Sequence, residues 1–175
     1  MVMLVAACTQ QADNRPLGDV VVRGAGCELL AEQAVRLSTG VENLRFDGQL
    51  VHGQPFPECE VHEKLDDVSE GDLLLAVDLQ EPVTNTAEQQ VSSRLKEGLP
   101  SIPADIGKGV SGSIRDSHDD QVIGIFAQTF LGTRLLTIEI YKEAPGRDRR
   151  ADAIEFLRQL RPVLLAPFQT SSPPS

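Results

Sequence analysis

Between residues 121 and 141 the chain carries two strand-like runs, 121–129 and 133–141, joined around Leu131-Gly132. A period of two sends successive side chains to opposite faces of a strand, and so short a join makes the two runs antiparallel partners. In the second run Leu135, Thr137, Glu139 and Tyr141 share one face, while Arg134, Leu136, Ile138 and Ile140 share the other. This meander is the framework on which the rest of the fold must be built. The 175 residues suit one compact domain with a core of its own.

The flanking segments supply further strands and the helices to cover them. Residues 19–23 predict a short strand, after which Gly24 and Gly26 lead to Cys27. From 27 to 38, Cys27, Leu30, Ala31, Ala34, Val35 and Leu37 recur mainly at helical spacing, with Gly40 placed to end the helix. Residues 41–46 and 49–51 straddle Asp47-Gly48, a pair suited to a hairpin turn. Pro55 and Pro57 interrupt the next stretch, 59–65 alternates as a strand with one wet face, and 73–79 predicts a central strand closed off by Pro82. Thr86 and Gln89 form a capping box ahead of a helix over 87–97, whose stripe is Ala87, Val91 and Leu95. A loop marked by Gly98, Pro100 and Pro103 precedes a strand over 110–115. Asp148 caps a last helix running to about Arg161, with Ala153, Phe156, Leu157 and Leu160 facing inward and Val163 and Leu164 following Pro162. The expected class is α+β: an antiparallel sheet of about six to eight strands against two or three helices.

Charge and composition exclude several partners. The formal charge is -10, from 26 acidic and 16 basic residues, so a phosphate backbone is repelled. No Trp and 4% aromatic residues argue against a base-stacking platform. No apolar run approaches the roughly 18 residues needed to span a bilayer. Acids crowd one stretch (Glu58, Glu60, Glu63, Asp66, Asp67, Glu70 and Asp72), whereas Arg147, Arg149, Arg150, Arg158 and Arg161 mark the last helix. The arginines are a candidate interaction surface for an anionic membrane or a charged partner. An ordinary solvated surface, with Arg147–Arg150 in a loop, is the simpler account of them.

The three cysteines divide unevenly. Cys8 follows Leu4-Val5-Ala6-Ala7, which resembles the lipobox of bacterial lipoprotein signal peptides. The resemblance implies that Cys8 receives diacylglycerol and becomes the mature N-terminus. Residues 1–7 are then a truncated signal remnant, 8–18 the lipidated cysteine and a flexible tether, 19–166 a single α+β domain, and 167–175 a disordered Ser/Pro tail. Acylation of Cys8 would leave Cys27 and Cys59, which an oxidising exterior allows to form a disulfide. Two buried free thiols are the alternative.

The lipobox, the tether, Cys27-Glu28-Leu29-Leu30, Cys59, the passage from Leu99-Pro100 to Ile106-Gly107 and the amphipathic segment 151–160 together resemble small actinobacterial cell-envelope lipoproteins of unassigned function. The resemblance spans about residues 18–165. It implies a PsbP-like sandwich of sheet and helices, a location on the extracytoplasmic face of the cell membrane, and an accessory or binding role. It carries no catalytic residues.

Nor do the residues themselves assemble a catalyst. His52 and His62 on neighbouring strands near Cys59 sketch a metal site, but a cysteine in a disulfide cannot ligate zinc. Asp116, His118, Asp119 and Asp120 read as a turn, without the ligand spacing of a calcium loop. Ser111 lies near glycines but in a strand, without the setting of a nucleophile elbow, and Lys108 completes no phosphate loop. The expectation is a non-enzymatic envelope lipoprotein with no cofactor and no metal, acting as an accessory or protein-interaction module. The alternative is a carrier or sensor of a lipid or other small apolar ligand, held between sheet and helices.

Overall fold

The computed structural model describes residues 12–51, 57–65 and 70–166. Cys8, His52, Pro55, Asp66, Asp67 and the tail lie outside them. The element order is β1 (Val21–Gly26), α1 (Glu32–Thr39), β2 (Leu44–Gln49), β3 (Glu58–Lys64), β4 (Glu70–Gln80), α2 (Ala87–Lys96), β5 (Gly109–Arg115), β6 (Val122–Leu131), β7 (Arg134–Ile140) and α3 (Arg149–Leu164). The class is α+β. Six strands form one antiparallel sheet in the order β2-β3-β4-β7-β6-β5, with no closure into a barrel.

The alternation read in the sequence sorts the two faces of this sheet. Leu136, Ile138 and Ile140 of β7 join Val61, Leu75, Val77 and Leu79 on the inner face. There they meet Ala153, Phe156, Leu157 and Leu160 of α3, together with Ala34 and Val35 of α1. Leu135 points the other way, into a smaller cluster with Ala87 and Val91 of α2, Val110 of β5 and Phe126 of β6. Helices therefore cover both faces, but unequally. β4 and β7 are the central pair of the sheet, as expected for 73–79.

Local signals hold where the structure they encode is local. Thr86 accepts from the Gln89 backbone at 3.2 Å and the Gln89 side chain accepts from Thr86 N–H at 2.9 Å, completing the capping box. The Asp148 side chain caps α3 by accepting from Arg150 and Ala151. Pro162 sits inside α3 rather than ending it. Because it lies in the last turn, the N–H it lacks removes one late helical bond, and the Leu165 N–H still reaches Arg161 O at 2.9 Å.

Two expectations change. Residues 27–31 are not helical: Cys27 and Glu28 have φ of 50° and 68°, and α1 begins only at Glu32. The chain instead folds back on β1, with Val22 N–H bonding to Leu29 O and Ala31 N–H to Val20 O. The helical spacing at 27–31 records which side chains are buried, not how the backbone runs. Asp47-Gly48 is also not a hairpin turn; both residues lie within β2, opposite Glu60 and Cys59. Gly48 has φ of 92°, and a Cβ there would fall 2.4 Å from the Glu58 carbonyl oxygen. Its glycine serves close strand contact.

Candidate binding face beside the second helix

Cys27 and Cys59 form a disulfide, with Cα atoms 5.9 Å apart. Cys59 lies on the inner face of β3, fully buried, so the bridge ties the turn ahead of α1 to the sheet. Cys27, expected to open the first helix, lies instead in the turn five residues ahead of Glu32. With the pair oxidised, neither sulfur is available as a metal ligand.

The other residues singled out in the sequence do not converge. His62 lies in β3, its ring near Glu60 Oε2 (3.3 Å) and Gly71 O (3.4 Å). His118 is in the β5–β6 turn, where Asp116 and Asp119 accept backbone N–H bonds from His118 and Gln121. Those aspartates shape the turn. Among the described residues, no three His, Cys, Asp or Glu side chains gather as metal ligands would. Ser111 is 1% exposed, and its hydroxyl has no hydrogen-bond partner. Lys108 pairs with Glu88 at 3.2 Å.

The arginines of the last helix also separate. Arg147 turns inward to a paired contact with Asp152 at 2.6 and 2.8 Å, 3.6 Å from Asp13, and donates to the Arg15 carbonyl. Its side chain is only 5% exposed. Hydrogen bonding to Asp152 raises the Arg147 pKa against the opposing effect of burial, and the negative charges of Asp152 and Asp13 act in the same direction. Arg149 meets Glu143, and Arg158 meets Asp105 and Glu155. Arg161 lies against Gly107, and Arg150 is half-buried at the start of α3. A cleft of about 610 Å³ opens between residues 13–18 and α3. Its principal cations already face carboxylates, so it reads as the seam that docks the N-terminal segment.

A different surface has the character of a site. The register aligns Asp47, Glu60, Ala76, Glu139, Phe126 and Gly112 across all six strands. The next row is Gln49, Glu58, Asp78, Thr137, Gln128 and Val110. Both rows belong to the outer face, because strand side chains alternate and the intervening Val77 and Ile138 are in the inner core. α2 covers the β5–β6 end of this face. No described helix covers the acidic β3–β4–β7 part.

A cavity of about 370 Å³ lies at the edge of α2, lined by Asp78 and Gln80 from β4, Thr137 and Glu139 from β7, Gln128 from β6, and Gln90 and Arg94 from α2. It adjoins a second hollow of about 510 Å³, walled by residues 81–85 and sharing Asp78, Gln80 and Gln90. The floor is a closed polar network. Arg94 donates to Gln128 Oε1, and Gln128 Nε2 donates to Thr137 Oγ1, each at 2.8 Å. Gln128 is 5% exposed and Thr137 8%. The Arg94 guanidinium also lies 4.7 Å from the centroid of the Phe126 ring.

The acids on this face work against one another. Burial raises the Asp78 carboxyl pKa first, and the negative charges of Glu58 and Glu139 raise it further, against a hydrogen bond from Gln80. Tyr141 donates to Glu139 at 2.7 Å, and burial followed by that bond pushes its hydroxyl pKa well up. The arginines of the last helix stand out in the sequence, whereas Asp78, Arg94 and Gln128 do not. Arg94 and Gln128 are 34 positions apart, and only strand register and the seating of α2 unite them.

No protein-family model matches the chain, and no curated protein or solved structure matches it at a significant level.

Proposed function

We propose that this chain is a non-enzymatic lipoprotein of the bacterial cell envelope, anchored through Cys8 on the extracytoplasmic face of the membrane. Its domain, with a PsbP-like arrangement of sheet and helices, acts there as an accessory module that binds through the open outer face of the sheet. The observation that carries the reading is the Cys27–Cys59 disulfide, which accounts for two of the chain's three cysteines. Structural disulfides persist in oxidising compartments, and Cys8 is left as the one thiol for lipidation. The polar outer face adds support, because it presents carboxylates, amides and Arg94 around a hollow while the inner face is committed to packing.

The test is the intact mass of protein gently extracted from the membrane fraction of its host, measured without reductant. The expected mass is that of residues 8–175 plus a diacylglyceryl group, less two hydrogens for the disulfide. A soluble, unmodified full-length chain with three free thiols would overturn the proposal.

A further inference from the structure

We infer that the cavity between α2 and the β4–β7 pair binds a small ligand carrying a primary ammonium group close to a hydrogen-bond acceptor. Amino acids, short peptides and amino sugars share this chemistry. The inference rests on the outer sheet face being the binding face.

The charges around Asp78 are unbalanced. Asp78 is half-buried; Glu58 is its direct partner on β3, and Glu139, two residues along β7 from its partner Thr137, lines the same cavity, so both neighbouring charges on this face are negative. Its bond from Gln80 supplies a dipole, not a counter-charge. A partly desolvated carboxylate among like charges favours a cation, and a compact ammonium can donate to both Asp78 and Glu139. Water alone would satisfy the oxygens but leave the like-charge repulsion in place.

The other end of the cavity has the opposite character. Among the described residues, Arg94 is held by the Gln128 amide and the Phe126 ring, with no carboxylate within ion-pair distance. A guanidinium has five N–H donors, so the bond to Gln128 leaves others for an acceptor on the ligand. The network beneath it fixes where those donors sit. Asp78, Thr137 and Gln128 are successive partners across β4, β7 and β6. At about 4.8 Å per strand, the Asp78 and Gln128 backbones are on the order of 10 Å apart, and their side chains line the same cavity. A ligand with an ammonium and an acceptor separated by a few bonds, and a hydrogen bond of about 2.9 Å at each end, is of that size. A cavity of about 370 Å³ has room for such a ligand but not for a folded partner.

The experiment is a nitrogen-15 NMR titration of the full chain with L-alanine, dialanine and glucosamine, each run beside its N-acetylated counterpart. At least one amine probe should produce saturable shifts clustered on β4, β7 and α2. Its affinity should fall at least tenfold on N-acetylation and in the Asp78→Asn variant, while Arg94→Gln weakens the same probe. Saturation by alanine or dialanine would assign an amino-acid or peptide source; saturation by glucosamine alone would assign an amino sugar. Spectra of both variants establish that the fold is retained. Silence at the cavity with all three probes, or equal binding of acetylated and free amines, would overturn the inference. The lipid anchor is read separately by mass, so an anchored protein with a silent cavity would refute this inference and leave the anchor intact.

Discussion

Replacing both Cys27 and Cys59 by alanine should destabilise the domain chiefly through its unfolded state. The two residues are 32 positions apart, and the loop they close contains α1 and β2. The chain-entropy relation for a loop of that size gives about 3.7 kcal/mol at room temperature. Loss of sulfur packing adds to this, because Cys59 is fully buried and Cys27 is 7% exposed. For a chain of this size, the entropic part corresponds to a fall in Tm of roughly 7–15 °C. Urea unfolding followed by far-ultraviolet circular dichroism, on the oxidised protein and the double variant, measures the change directly. The variant should also show a steeper dependence on urea, since its unfolded chain is released to expand and expose more surface. A loss below about 1 kcal/mol with an unchanged slope would refute the reasoning, because it would mean that the bridge restrains nothing the unfolded chain would otherwise explore.

Asp78→Asn should stabilise the fold at neutral pH. The folded pKa of Asp78 lies above its ordinary value of 3.8, so its favourable contribution is complete below that value and lost as pH rises through the folded pKa. The advantage of the variant should therefore grow upward from about 3.8 and level off at higher pH, as read from urea midpoints across a pH series; an advantage largest in acid would contradict the assignment. Arg147→Ala should cost about 3–5 kcal/mol, because it strands Asp152, whose side chain is 6% exposed, without its cation. A double-mutant cycle with Asp152→Ala checks this, and additive losses would show the two groups to be uncoupled.

How much of this protein was legible in its sequence depends on the range over which each signal acts. The capping box at Thr86 and Gln89 and the Asp148 cap involve residues within three positions of one another, and the β6–β7 meander pairs strands that follow directly across a short turn. Their geometry follows from local backbone chemistry, and the structure agrees with the reading. Asp47-Gly48 carries an equally local turn signal, yet it lies in a strand because its glycine allows close approach to Glu58 on β3. Residues 27–31 misled for a related reason. Periodicity reports burial, and a folded-back turn can bury Leu29 and Leu30 as a helix would.

The amino-acid sequence by itself determined the class of the fold, the identity of the central strand and the inward faces of α2 and α3, because hydrophobic alternation and caps are properties of neighbouring residues. Only the tertiary structure decided that Arg147 is buried while Arg94 faces a cavity, since charge is written in the sequence but its surroundings are not. The same holds for the acidic outer face. Glu60, Asp78 and Glu139 come from three different strands, and the register of the sheet makes them neighbours by backbone hydrogen bonding between segments far apart in the chain.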